Sequence, residues 1–304
     1  MCQSTVDWCE ANYNVTRYIA EFWNSLTGFA IISSAIYWRY LSNTQNTQIV
    51  KRSVFVGAYG QCFKDIFWYL LLVGVGTMLF HGTLLYKYQL LDELPMLMIA
   101  IEYVKLTCTL STSIELFSFR FLSRVTALTR VGNYLVCIIP FTYLLGKYAQ
   151  ILSFHVTLKL FEGTMLFMLW KLSRSLNALV YKCVYRKYDT MDSVTNRLSV
   201  TTLGDSPFVE RGRNSQRLKR VQQDLQEYIK YKKDLGMYTK NGVYFYTFSI
   251  GLWVIENLFC EWVRPLQLHA WWHILSSMGI YNLNKMLEQH VHISELCSRR
   301  NKTE

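Results

Sequence analysis

Apolar residues along this chain gather into seven long runs, at roughly 22–40, 53–85, 91–112, 132–147, 150–172, 243–263 and 267–287. A helix needs about 20 mostly apolar residues to cross a bilayer, whereas a soluble core helix needs only a stripe. Several runs carry polar side chains, as helices do when a bundle encloses a polar interior. The pattern predicts an all-α integral membrane protein, a seven-transmembrane helix bundle. The second run is too long for one simple span and holds Lys64 and Asp65 within GQCFKDIFWYLL. A charge at mid-membrane costs at least ~2.5–3.5 kcal/mol, so Gln61–Tyr69 reads as an insertion. Without it, FVGAYG would run into LLVGVGTMLFHGTLLY at ordinary span length.

The basic residues alternate with the runs. Arg39, Lys51 and Arg52 follow the first, Arg120, Arg124 and Arg130 the third, and Arg299, Arg300 and Lys302 the seventh. The opposite loops hold only Lys87, Lys147 and Arg264. Lys and Arg stay in the cytosol, so the amino terminus is expected to be luminal and the carboxyl terminus cytosolic, as seven spans require. The chain then divides into a luminal leader (1–21), spans one to five (22–172), a basic cytosolic loop (173–242), spans six and seven (243–287) and a cytosolic tail (288–304). The opening MCQSTVDWCEANYN lacks the basic and apolar regions of a cleavable signal, so the first span itself is expected to direct insertion.

Composition sharpens this. Half the residues are apolar (51%), 17% are charged, and the formal net charge is +11. Fifteen Lys and Arg stand against seven Asp and Glu between Lys171 and Lys240. Flanked by apolar spans, that patch suits a cytosolic loop facing anionic lipid, and no nucleic-acid partner is expected. Within it, TMDSVTNRLSVTTLGDSPFVERGRNS has a disordered composition. LKRVQQDLQEYIKYKKDL places Leu218, Val221, Leu225 and Tyr228 on one helical face, either lying on the membrane or extending the sixth span. The eight cysteines form no CxxC pair, which argues against a cysteine zinc site.

Six histidines are present, and three stand at one level of the predicted bundle. His81 ends the second span, in GVGTMLFHGTLLY, and His269 and His273 begin the seventh, in LHAWWHILSSMGIY. A spacing of four stacks His269 and His273 on one helix face. That pair and His81 can share one zinc ion, with a water as the fourth ligand. Asp92, in QLLDELPM, and Thr77, one turn before His81, fall at the same depth. A lone His-x3-His occurs by chance in many helices, and an interfacial histidine is commonly just hydrogen-bonded. The convergence of five groups on one level is what sets this set apart. His155 is expected to pack or to meet lipid headgroups, and His290 and His292 fall in the polar tail without an assigned role.

These residues and the segments around them resemble the alkaline ceramidase family, within the seven-span hydrolase superfamily that includes the adiponectin receptors. The superfamily pattern of Ser-x3-His, Asp and His-x3-His is matched as Thr77-x3-His81, Asp92 and His269-x3-His273. VDWCEANY, YIAEFWNSLT, LLDELPM, WVIENLFCEW and HAWWHILSSMGIY are similar to the family, and its fungal branch is a plausible home. The resemblance implies zinc-dependent hydrolysis of the amide of ceramides, phyto- or dihydroceramide in particular, in the endoplasmic reticulum or Golgi membrane. It implies zinc on His81, His269 and His273, Asp92 as general base, Thr77 as oxyanion donor in place of the usual serine, and Trp272 lining the lipid pocket. It also implies a calcium site at Asp7, Trp8, Glu10, Asn12 and Glu21. Oxygen donors in that alternation suit calcium, although an acidic leader taken alone is more often merely solvated. A disulfide between Cys9 and Cys260 is implied as well, on the side the basic residues mark as luminal. Where aspartate is common in the sixth span, this chain has Glu256. Two rival functions are a non-hydrolytic receptor or lipid-binding bundle of adiponectin-receptor type, and a transporter with His81, Asp92 and Glu93 as a proton relay.

Overall fold

The computed structural model describes residues 3–44, 59–113, 163, 167 and 208–300. Among these residues the structure is helical, with two isolated β-bridges, Gln3–Leu85 and Thr16–Ile19. The helices are α1 (Phe22–Thr44), α2 (Gly60–Thr83), α3 (Tyr86–Ser113), α4 (Phe208–Val263) and α5 (Leu268–Arg300). Helix α2 and the stretch Ile229–Leu266 are long and apolar enough to cross a membrane. Predicted spans 132–147 and 150–172, His155 and the segment 173–207 lie outside the described residues, Gly163 and Phe167 excepted.

Helix α1 packs on α2 and α5, α2 on α3, and α4 on α5. The main core joins Trp38 of α1, Phe63, Ile66 and Leu70 of α2, Tyr103 and Leu106 of α3, Leu235 of α4 and Leu287 of α5. Helices α1 and α2 meet backbone to backbone. A Cβ on Gly28 would fall 2.7 Å from the Gly74 carbonyl oxygen, the close approach that small residues permit between membrane helices. Two tight turns make antiparallel neighbours. Leu84, with φ 53°, ends α2 immediately before α3, and its N–H donates to the Phe80 carbonyl. A 3-10 turn, Arg264–Leu266, with Pro265 near its start and Gln267 at φ 50°, joins α4 to α5.

Three boundaries differ from those the hydropathy pattern predicts. Gln61–Tyr69, read from the sequence as an insertion, forms the opening turns of α2, which begins at Gly60. Phe63 and Ile66 are fully buried there, Lys64 is exposed, and Asp65 accepts a hydrogen bond from Gln61 Nε2 at 2.8 Å. The charged pair thus sits in the first turns of the helix and not at its middle. The basic region is helical from Phe208 onward, because α4 runs without interruption into the sixth predicted span. Of the two readings of LKRVQQDLQEYIKYKKDL, the extension of that span is the one found. The predicted tail is likewise helical through Arg300, and Glu288, Gln289 and His290 are buried. Glu288 receives Trp38 Nε1 at 2.9 Å, Lys285 Nζ at 2.6 Å and the Ser42 hydroxyl. Paired and hydrogen-bonded in this way, the charges are tolerated inside the bundle.

Candidate metal centre and catalytic site

His81 sits in the last turn of α2, and His269 and His273 in the first two turns of α5; all three are buried. One ligand atom from each lies within 4.8 Å of the others. The ring centroids are 4.6 Å apart for His269–His273, 5.1 Å for His81–His273 and 5.2 Å for His81–His269.

Each ring is held through Nδ1 by a different element. His81 Nδ1 lies 2.5 Å from Glu21 Oε2, His269 Nδ1 lies 3.2 Å from Glu256 Oε2, and His273 Nδ1 lies 2.8 Å from Thr27 Oγ1. Ionised carboxylates accept only, so Glu21 and Glu256 each accept a hydrogen bond from the ring N–H. Thr27 has one hydroxyl proton and gives it to the Asn24 carbonyl at 2.9 Å, which leaves its oxygen as an acceptor too. All three partners therefore favour the Nδ1–H tautomer and leave Nε2 as a bare lone pair. Supports of this kind orient the imidazoles of metal sites and fix their tautomer. Three convergent neutral imidazoles match the donor set of a catalytic zinc site, which keeps a fourth position open.

Thr77 Oγ1 lies 2.6 Å from Asp92 Oδ1 and 2.8 Å from the Val73 carbonyl, one turn back in α2. Both Thr77 and Asp92 are buried. The approach of α3 depends on Gly76. A Cβ there would fall 2.6 Å from Asp92 N and 2.7 Å from the Leu91 carbonyl oxygen. Pro95, inside α3, has no N–H to give that same Leu91 carbonyl, its i−4 partner. A helix missing one bond thus meets a helix missing one side chain, and Asp92 stands at the junction.

The leader folds over this end of the bundle. Its N–H groups donate from Ser4 to the Leu84 carbonyl at 2.8 Å and from Thr5 to Gln89 Oε1 at 2.9 Å. A disulfide joins Cys9 to Cys260 near the end of α4. Trp8 stacks on the His269 ring at 4.0 Å, and the half-buried Trp272 stacks on it at 5.1 Å. Glu10 caps α1, accepting Trp23 N–H at 2.8 Å and Asn24 N–H at 2.9 Å. Asn12 Nδ2 donates to both oxygens of Asp7, and Trp8 N–H donates to Glu21 Oε1 at 2.9 Å. Burial, with the nearby Glu21 charge, holds the Asp7 carboxyl above its ordinary pKa, and burial does the same for Glu10. Burial pushes Glu21 upward as well, but the His81 ring and Asn24 outweigh it and leave Glu21 below its ordinary value. Asp7 and Glu10 each feel the Glu21 charge, and carboxylates gathered in this way are oxygen donors of the kind that suits calcium.

Glu21 therefore touches both His81 and the leader. Sequence reasoning placed it only among the leader oxygens, and it missed Glu256 and Thr27 as ring supports. Glu256 carried a signal, an acid inside an apolar run; Thr27 carried none.

A protein-family model described as Ceramidase matches residues 1–303. This chain belongs to the ceramidase family. It is 48% identical over 95 residues to an alkaline ceramidase of Saccharomyces cerevisiae, covering 31% of this chain and 26% of the yeast protein. It is 27% identical over 292 residues to alkaline ceramidase 3 of Mus musculus, covering 91% of this chain and 80% of the mouse protein. The match thus spans about a quarter of the yeast relative and most of the mouse one.

Proposed function

We propose that this member of the ceramidase family hydrolyses the amide of ceramides inside the membrane, using zinc held by His81, His269 and His273. The observation that carries this reading is the set of three Nδ1 partners, which leaves Nε2 free on each of three rings whose ligand atoms lie within 4.8 Å of one another. When bound there, zinc would activate a water and polarise the amide carbonyl. Asp92 takes the proton of the attacking water at Oδ and passes it to the departing amine nitrogen. The Thr77 hydroxyl is shared between Asp92 and the Val73 carbonyl, so it can turn to donate to the oxyanion as that charge develops. Trp272 lines the lipid pocket beside the histidines. The products are a sphingoid base and a free fatty acid. Phyto- and dihydroceramides are the first substrates to assay, in keeping with the fungal resemblance.

The setting proposed is a seven-span bundle in the endoplasmic reticulum membrane, with the leader in the lumen. A disulfide from the leader to α4 fits an oxidising compartment, and the charge alternation points the same way. Calcium held by Asp7, the Trp8 carbonyl, Glu10, Asn12 and Glu21 would brace the leader against His81. The test is sphingoid-base release from defined ceramides by purified protein, with zinc measured on the same sample. Turnover that disappears in both His81→Ala and His273→Ala supports the reading. Undiminished turnover in both defeats it.

A further inference from the structure

Glu256 lies on α4, one turn before Cys260, and it touches both the leader and a histidine of the candidate metal centre. Its carboxylate lies close enough to the backbone N–H of Cys9 to be favoured by it electrostatically. Its Oε2 faces His269 Nδ1 at 3.2 Å. Cys9 is tied covalently to Cys260, and Trp8, its neighbour, lies flat on the His269 ring at 4.0 Å with an interplanar angle of 24°. Between Glu256 and Cys260 the helix is broken at Phe259, with φ −129° and ψ 31°. His269 is therefore gripped at Nδ1 and across a ring face by groups that all depend on one junction between the leader and α4. His81 is supported by Glu21, which the Trp8 N–H also meets, and His273 by Thr27 of α1.

Resting on the zinc reading above, we propose that Glu256 is a positioning residue for His269, and that the Cys9–Cys260 disulfide holds Glu256 and Trp8 in place to do so. The carboxylate keeps the proton on Nδ1 and turns Nε2 toward His81 and His273. The disulfide keeps the Cys9 N–H beside that carboxylate and the Trp8 indole on the ring. Metal retention is then a property of the leader junction as well as of the three ligands. Partners of this kind typically contribute about 10–100-fold to metal affinity.

The test uses the full chain in lipid nanodiscs, titrating zinc against a competing chelator and recording the electronic spectrum of the cobalt(II)-substituted form. The expected result is a loss of zinc affinity of about 10–100-fold in Glu256→Ala, with altered cobalt bands. Glu256→Gln keeps an oxygen for the Cys9 N–H and the ring, and should fall between the two. Cys260→Ser should lose affinity in the same direction, with its own Glu256 intact. Glu261→Ala, an exposed neighbour on the same helix, should bind as the parent does. Apo-protein melting curves for all four show whether a variant still folds, and Glu256→Gln carries the test if the alanine variant does not. Parent-like affinity and cobalt spectrum in Glu256→Gln and Glu256→Ala would overturn the proposal. A parent protein that binds no stoichiometric zinc would instead overturn the site reading beneath it.

Discussion

Gly76 touches the backbone of Asp92: a single added carbon would sit 2.6 Å from the aspartate nitrogen. The proposed general base is thus placed by an absent side chain on the neighbouring helix. Because the obstacle is backbone, no rotamer change relieves it. Gly76→Ala should force α2 and α3 apart, cost about 1–3 kcal/mol as overpacking does, and cut ceramide turnover sharply while zinc stays bound. Gly251→Ala, at a position with nothing within 4 Å, serves as the silent control. Parallel melting curves, zinc content and turnover check both.

Asp92→Asn keeps the shape of the site and removes the base. Turnover should fall by about 10²–10⁴-fold, the usual contribution of a positioned acid or base, with zinc content unchanged. Full activity in this variant would remove Asp92 from the mechanism.

Thr77 separates hydroxyl from bulk. Thr77→Val keeps the branched shape and loses the donor, so kcat should drop by about 10²–10³-fold, as for other oxyanion donors. Thr77→Ser keeps the donor and should remain active. Steady-state kinetics on both variants distinguish a donor from a packing residue.

The leader makes a prediction about pH. Asp7 is held above its ordinary pKa by burial and by Glu21. A carboxyl raised in the folded state costs stability as pH rises from its unfolded value, near 3.9, through its folded value. In calcium-free buffer, Asp7→Asn should therefore be stabilised relative to the parent above that range, and the gain should vanish below it. Added calcium should stabilise the parent and leave the variant unmoved. Melting temperatures across pH, with and without calcium, provide the measurement.

Helix faces and ligand spacing were legible in the sequence, and through-space support was not. The His-x3-His spacing and the outward and inward runs of two spans already placed His81, His269 and His273 at one level. Lys64 and Asp65 misled, because a hydropathy window cannot see that a helix starts at Gly60; only Phe63 and Ile66, turned into the core, show which face the pair avoids. EQHVHISE read as a tail because its polarity was counted and its partners were not. Glu288 meets Trp38 across 250 positions of sequence. Thr27 bonds His273 across 246, a separation at which no local pattern carries a signal.

The bond between Cys9 and Cys260 closes a loop between residues 251 positions apart, the basic stretch within it. A protease cutting within that stretch would open the ring without freeing either end. The nicked molecule would migrate as one band until a reductant is added, and only then fall into two fragments, so a gel run both ways reports whether the ring was ever closed.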